Sequence, residues 1–258
     1  MDFSNQQTEL GDSRGRYFDL SYISQVSCES RGTEVEKQIE FIEQKILSHF
    51  KHPKILDLCC GHGRHLEWLS KKGFDLTGVD INQVFIDIAL QRKSSNVQLI
   101  CCDARQFVSS NAFDVVLNLE TSLNCFNYED ALLTLSNIYQ SLRKGGAFLL
   151  HVFNPEFAIR ELPHRTWIKT EDGIILLEKR KFDSKTNTVT ITQNRLLPVN
   201  GEGNYQESTH QIKLLMFTYD QLYKMLARVG FNIQCVYGNF QGVAYGSEFP
   251  DLIFVCSR

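Results

Sequence analysis

The sequence has no long run of basic residues, and its formal net charge over 258 residues is -3. A surface that binds nucleic acid needs clustered Lys and Arg to neutralise phosphates. The short basic cluster in Glu178–Lys181 is too small for that purpose. The sequence therefore favours a partner that is not a nucleic acid.

The sequence also lacks an apolar run long enough to cross a bilayer. Its first twenty residues, MDFSNQQTELGDSRGRYFDL, contain no apolar segment of the kind found in secretory signals. Most of the eight cysteines lie in apolar stretches, which is typical of buried, reduced thiols. We therefore expect a cytoplasmic protein without membrane contact, either a monomer or a homodimer.

What the sequence does contain is an alternation of short apolar strands and amphipathic helices from residue 33 onwards. The predicted strands are KILDL, FDLTGVD, NVQLICC, AFDVVLNL and AFLLHVF. This alternation predicts a parallel sheet wound on both faces by helices. The pattern breaks at residues 155–217, where antiparallel strands and turn signals such as Asp172-Gly173 follow.

Several helix ends can be predicted from capping residues. Thr33 with Glu36, and Thr218 with Gln221, are candidate capping boxes at two helix starts. Asn82 is a candidate N-cap. The helix before the fifth strand is predicted to end at Gly145-Gly146. The predicted domains are 1–32, an N-terminal lid segment; 33–154 with 218–258, the α/β domain; and 155–217, an antiparallel insertion that covers the site or contacts a second subunit.

The stretch LDLCCGHGRH, Leu56–His65, can be interpreted as a metal site or as a nucleotide-binding turn. It has no Cys-x-x-Cys pair, and adjacent cysteines at a strand end point to opposite faces, so the metal interpretation is disfavoured. Placed between the first strand and its helix, the stretch forms the turn where parallel α/β sheets bind ligands. Gly61 and Gly63 let the backbone approach a ligand closely.

Three carboxylates at successive strand ends point to the kind of ligand. A dinucleotide fingerprint needs a third glycine, and Leu66 stands there instead. Asp57 would repel a pyrophosphate and favour a cation, such as the ammonium of S-adenosylmethionine (SAM). Asp80 could accept hydrogen bonds from ribose hydroxyls. Asp103 could accept one from an adenine amino group.

These segments together resemble the motifs of class I SAM-dependent methyltransferases of the small-molecule branch. LDLCCGHGRH resembles motif I, TGVD motif II, CDAR motif III, FDVVLNLETSLNCF motif IV, and SLRKGGAFLL the segment that follows. The resemblance covers residues 33–153, and 218–258 match the closing elements. It implies a seven-stranded Rossmann-like sheet with helices on both faces and the last strand antiparallel, plus an antiparallel β insertion over the active site. One departure is Cys59, which stands in the usual place of the first glycine.

The resemblance implies SAM as cofactor and methyl transfer to an O or N nucleophile of a small-molecule acceptor. The predicted cofactor-binding residues are Asp57, Cys59, Gly61, Gly63, Asp80, Ile81, Asp103, Ala104, Asn118, Leu119, Tyr17 and Arg16. No metal is predicted. NLET stands where enzymes acting on base amino groups have Asn/Asp-Pro-Pro-aromatic, which disfavours a nucleobase amine.

Candidate groups for catalysis and acceptor binding follow the fourth and fifth strands. His151 and Glu120 are candidate bases, although His151 in an apolar strand is more typical of a structural histidine. The predicted acceptor-binding residues are Tyr22, Ser122, Asn124, Asn154, Trp167, Tyr237 and Tyr245.

Three alternative functions remain open at this point. A methyltransferase could act on tRNA or on a protein side chain, although the acidic balance disfavours RNA. A nicotinamide-dependent oxidoreductase would use a similar sheet. A catalytically silent protein of the same fold would only bind a partner.

Overall fold

The computed structural model describes residues 17–26, 29–92, 94–199 and 203–258. It contains two compact units. The larger unit comprises residues 33–160 with 217–258, and the smaller comprises residues 161–216 with those described up to 32. The three-part domain division inferred from the sequence stays a prediction.

Between residues 54 and 153 the strands and helices follow the expected order. The strands are β1 (Lys54–Leu58), β2 (Asp75–Asp80), β3 (Val97–Cys101), β4 (Phe113–Asn118), β5 (Leu142–Phe153), β6 (Arg165–Lys169), β7 (Ile175–Asp183), β8 (Thr188–Pro198), β9 (Tyr205–Leu215), β10 (Asn232–Tyr237) and β11 (Asp251–Ser257). The α-helices are α1 (Leu20–Val26), α2 (Glu29–Lys45), α3 (Arg64–Lys71), α4 (Gln83–Arg92), α5 (Tyr128–Ser141), α6 (Pro155–Glu161) and α7 (Tyr219–Val229).

The larger unit is built on a seven-stranded sheet in the order β10-β11-β5-β4-β1-β2-β3. The last strand, β11, is antiparallel to both of its neighbours, and the pairs around β1 are parallel. The predicted seven-stranded Rossmann-like sheet with an antiparallel last strand is confirmed. Strands β2 and β3 lie on one side of β1, and β4 and β5 lie on the other. This change of direction in the strand order creates the crevice in which such sheets bind ligands.

The helix that precedes β1 packs through a single apolar stripe. Val35, Ile39 and Ile42 recur at helical spacing in α2, Ile46 follows directly after its last residue, and each of the four is at most 3% exposed. Burying each side chain contributes about 1.5–3 kcal/mol. This packing holds one face of α2 against the core. It also determines the position of the polar residue Gln38 on the same helix.

Some predicted helix ends are confirmed and others were wrong. The Thr218–Gln221 capping box is present, and the Asn82 side chain accepts a hydrogen bond from the Val84 N–H at 3.0 Å. Helix α2 begins at Glu29 rather than at Thr33. Helix α5 ends at Ser141 rather than at Gly145-Gly146, because Leu142 already pairs with Phe113 of β4. The sequence interpretation also missed α6.

The smaller unit contains a four-stranded antiparallel sheet in the order β6-β7-β8-β9, which confirms the predicted antiparallel strands. Arg195 on β8 is 0% exposed. Its guanidinium donates to Gln193 Oε1 at 2.6 Å, Ser21 Oγ at 2.8 Å and the Tyr17 carbonyl at 2.6 Å, and it forms an ion pair with Asp19. These bonds attach the segment from Tyr17 to Ser21 to β8.

Candidate active site

The turn between β1 and α3 has the left-handed backbone that close ligand approach requires. Cys59, Gly61 and Gly63 have φ values of 65°, 56° and 82°. For the non-glycine residue Cys59 this conformation costs about 1–2 kcal/mol. The N–H groups of Cys59 and Cys60 both donate to the Val79 carbonyl, at 2.7 and 3.0 Å. The turn therefore survives the replacement of the first glycine by cysteine.

Asp80 joins this turn to the end of β2. Its carboxylate accepts the Gly61 N–H at 2.8 Å through one oxygen and the Asn82 N–H at 2.8 Å through the other. Burial raises the pKa of Asp80, although these two backbone bonds oppose that effect. The next side chain, Ile81, is 62% exposed and presents an apolar face beside the turn.

Asp57, near the end of β1, is a buried carboxylate whose bonding is incomplete. It is 1% exposed, and its Oδ2 has no hydrogen-bond partner among the described residues. Burial and the nearby charges of Asp80 and Glu120 raise the pKa of Asp57 to about 7, against the opposing effect of Arg64. An unpaired buried carboxylate is costly, so a cationic ligand such as an ammonium fits this position.

Two consecutive residues just after β4 have a strained backbone conformation. Glu120 and Thr121 have φ values of 54° and 65°, which is unusual for non-glycine residues and especially for a β-branched one. Asn118 donates to the Leu58 carbonyl at 2.9 Å, and its Oδ1 has no partner among the described residues. Leu119 is 3% exposed. Strained backbone of this kind persists only where neighbouring groups hold it.

His151 is one of the groups that stabilise this strained segment. Its Nδ1 accepts the Glu120 N–H at 3.2 Å, and its backbone carbonyl accepts the Thr121 N–H at 3.2 Å. The ring proton must then lie on Nε2, which donates to Asp251 Oδ1 at 3.2 Å. Both ring nitrogens are therefore engaged, in agreement with a structural histidine.

The Glu120 carboxylate is held by two elements at once. Its Oε1 accepts from Gln38 Nε2 at 2.7 Å, and its Oε2 pairs with Arg64 at 2.7 Å. Burial alone would raise the pKa of Glu120, but the Arg64 guanidinium and the Gln38 hydrogen bond lower it to about 2. Glu120 is therefore ionised near neutral pH and is a weak base.

Two residues of this network, Gln38 and His65, were missed by the sequence interpretation. Gln38 is 1% exposed, and its Oε1 lies 2.7 Å from His65 Nε2. The signal that could have found it is a lone polar residue beside Ile39 on the apolar stripe of α2. Its partners could not be foreseen, because Glu120 lies 82 residues further along the chain.

The predicted adenine-binding residues follow β3. Asp103 accepts Arg105 Nε at 3.0 Å and Nη2 at 2.6 Å, and Arg105 also pairs with Asp130 at 3.0 Å. These bonds occupy the carboxylate that was expected to accept from an adenine amino group. Ala104 is 5% exposed.

The predicted acceptor-binding residues divide between the two units. In the larger unit, Ser122 donates to the Leu119 carbonyl at 2.7 Å, and Asn124 is 0% exposed. Tyr237 packs edge-on against Phe41 with ring centroids 5.1 Å apart, and Tyr245 stacks on Tyr219 at 5.1 Å.

The smaller unit holds three further residues that were predicted to bind a ligand. Tyr17 is 5% exposed beneath Arg195, Tyr22 contacts the Tyr17 ring, and Trp167 is 68% exposed on β6. Arg16 lies outside the described residues. The ligand-binding roles assigned to residues of both units stay predictions.

Asn154 has a complete set of partners within the larger unit. Its Nδ2 donates to the carbonyls of Gly246 at 3.1 Å and Phe249 at 2.9 Å, and its Oδ1 accepts the Glu156 N–H at 3.1 Å. The side chain therefore caps α6 and ties it to the segment before β11.

Asn154→Ala is expected to destabilise the protein by about 1–2 kcal/mol, because the Glu156 N–H loses its acceptor and two partly buried carbonyls lose their donor. Urea unfolding measures the change, with Asn232→Ala at an exposed position of β10 as the control. Equal stability of the two variants would contradict the capping role of Asn154.

Comparisons with known proteins agree with this geometry. Residues 55–146 match the family model described as a methyltransferase domain. The chain is 26% identical over 211 residues to YqeM of Bacillus subtilis, named as a methyltransferase, covering 80% of this chain and 84% of that protein.

It resembles a solved SAM-dependent methyltransferase from Clostridium acetobutylicum with a TM-score of 0.77 and 18% identity, covering 86% and 91% of the two chains. It also resembles SAM-bound CalS10, an amino pentose methyltransferase from Micromonospora echinaspora, with a TM-score of 0.69 and 19% identity, covering 100% and 98%.

Residues 55–146 therefore match a methyltransferase domain, and the chain has the class I fold of SAM-dependent methyltransferases, which confirms the fold predicted from the motifs. SAM, the predicted cofactor, is the cofactor of this class. Among the helices of the described ranges, none combines the length and apolarity needed to cross a membrane. Within the same ranges, no group of three His, Cys, Asp or Glu side chains is arranged to hold a metal ion.

Proposed function

We propose that this methyltransferase acts on an O or N nucleophile of a small molecule, with SAM as methyl donor. The observation that carries the cofactor assignment is the buried Asp57 carboxylate, whose Oδ2 has no partner among the described residues. When bound, SAM supplies a methyl group that its sulfonium has already activated. The protein then has to align the nucleophile and exclude water.

The residues around the first turn suit the three parts of that cofactor. Asp57 offers its free oxygen to an ammonium, and Asp80 retains lone pairs for ribose hydroxyls. The exposed Ile81 offers an apolar surface for the adenine ring. The Gly61–Gly63 turn allows the backbone to approach.

The protonation states near β4 favour an amine over a hydroxyl acceptor. A hydroxyl needs a base to remove its proton. Both nitrogens of His151 are engaged, and Glu120 has a pKa of about 2. An ammonium must also lose a proton, but it can give that proton to water before it binds, and the neutral amine then attacks without a base in the site. The similarity to CalS10 agrees with an amino acceptor on a small molecule.

Isothermal titration calorimetry with SAM, its demethylated product and NAD tests the cofactor assignment. We expect binding of the first two and none of NAD. Binding of NAD alone would contradict the proposal and support the oxidoreductase alternative. With SAM binding established, methylation of amino sugars should exceed methylation of the corresponding hydroxy sugars, and the reverse preference would contradict an amine acceptor.

Asp80→Ala is expected to weaken SAM binding by about 1.5–3 kcal/mol, the value of a hydrogen bond to a charged group. The Gly61 and Asn82 N–H groups also lose their acceptor, so a modest loss of stability should accompany it. Calorimetry measures the affinity. Unchanged affinity in this variant would exclude Asp80 as a ribose ligand.

A further inference from the structure

Arg64 is a cation that acts on two carboxylates of the candidate site, Glu120 and Asp57. It is the first residue of α3, directly after the Gly61–Gly63 turn, and its side chain is 18% exposed. It pairs with Glu120 Oε2 at 2.7 Å. The charge of Arg64 lowers the pKa of Asp57, whereas the charges of Asp80 and Glu120 raise it. Arg64 therefore lies within electrostatic reach of the buried carboxylate whose Oδ2 lacks a partner.

The Arg64–Glu120 pair is fixed by Gln38. Because the ionised Glu120 can only accept hydrogen bonds, the Gln38 amide must direct its NH2 group to Glu120 and its oxygen to His65. The His65 proton then lies on Nε2, and burial lowers the pKa of His65 to about 3, which keeps the ring neutral. Three elements, α2, α3 and the segment after β4, thus hold the guanidinium in one place.

We propose that Arg64 binds the α-carboxylate of SAM, an assignment that rests on the proposed function. An α-amino acid carries one cation and one anion on adjacent groups. Asp57 offers a free carboxylate oxygen for the ammonium, and Arg64 offers N–H donors beyond the one directed at Glu120. Gln38 is a positioning residue, because it acts on Arg64 through Glu120.

A ligand series isolates the carboxylate from the rest of the cofactor. Decarboxylated SAM keeps the ammonium and the sulfonium but lacks the carboxylate, and 5′-methylthioadenosine lacks the whole amino-acid end. Calorimetry with the wild-type protein should show SAM binding about tenfold or more tighter than decarboxylated SAM, the effect of one charge-assisted hydrogen-bonded pair.

Arg64→Gln should abolish that preference, because SAM loses a partner while decarboxylated SAM is freed from a repelling cation. Binding of 5′-methylthioadenosine should not change. Arg64→Lys should retain part of the preference through its point charge, and Gln38→Leu should reduce it without removing it. Arg228→Gln, at an exposed position of α7, makes the same change of charge and should behave as wild type.

Two results would overturn the assignment. One is an undiminished preference for SAM in Arg64→Gln, and the other is a wild-type protein that binds SAM but does not prefer it to decarboxylated SAM. A wild-type protein that binds none of the three ligands would instead refute the proposed function, so the two failures are distinguishable.

Discussion

Asp57→Asn is expected to remove most SAM binding while making the ligand-free protein more stable above pH 7. The substitution keeps the shape of the side chain and removes its charge. Asp57 is 1% exposed, its Oδ2 has no partner among the described residues, and its pKa is raised to about 7. The same charge that attracts an ammonium therefore destabilises the ligand-free fold.

The sign of the stability effect follows from the direction of this shift. The pKa of Asp57 rises from 3.8 in the unfolded chain to about 7 in the folded protein, so the folded state binds the proton more tightly. The stabilisation due to Asp57 is complete below pH 4 and is lost as the pH rises through 7. The loss is on the order of a few kcal/mol. Because His62 and His65, whose pKa values are lowered by burial, change stability in the opposite sense, the comparison is between the two proteins: urea unfolding should show that the wild type loses stability relative to Asp57→Asn between pH 5 and pH 8.

SAM binding should depend on pH in the opposite sense. The affinity of the wild type should fall as the pH decreases below 7, because protonation of Asp57 removes the charge that pairs with the ammonium. Asp57→Asn should bind about a hundredfold more weakly at pH 8 and lose the pH dependence. Asp75→Asn, which removes an exposed carboxylate from the start of β2, is the matched control. A variant at Asp57 that binds SAM like the wild type would exclude this role.

The sequence was sufficient for the elements that local patterns specify. The alternation of strands and helices predicted the parallel sheet, and the glycines after β1 predicted the turn that Asp80 now bridges. Helix ends failed where long-range pairing decided them. At Ser141 the chain stops being helical because Leu142 joins β4, and the two glycines that follow are already within β5.

The candidate site was predictable as a set of carboxylates but not as a network. A residue pattern cannot show that Gln38 donates to Glu120, or that His151 bonds Glu120 and Asp251 through its two ring nitrogens. The partners in these contacts are separated by 31 to 100 residues of sequence. Even the local pair of Asp103 and Arg105 depends on Asp130, which folds back from α5. Tertiary contacts therefore decide which polar groups remain free for a ligand.

Arg195→Met is expected to destabilise the smaller unit by about 3 kcal/mol and to release the segment from Tyr17 to Val26. The guanidinium is 0% exposed and donates to four groups, so its removal leaves Asp19, the Gln193 oxygen and the Tyr17 carbonyl without this donor. Asp19 is 38% exposed and can be rehydrated, but the Gln193 oxygen and the Tyr17 carbonyl lie in buried residues and stay desolvated, which accounts for most of the loss.

Hydrogen exchange separates this effect from a general loss of stability. Amides of residues 17–26 should exchange faster in Arg195→Met, whereas those of β1 and β4 in the larger unit should keep their wild-type rates. Lys179→Met, an exposed position on the neighbouring strand β7, removes the same charge and should change neither set. Wild-type exchange rates at residues 17–26 in Arg195→Met would mean that other contacts hold this segment, and Arg195 would then be a buried cation with no anchoring role.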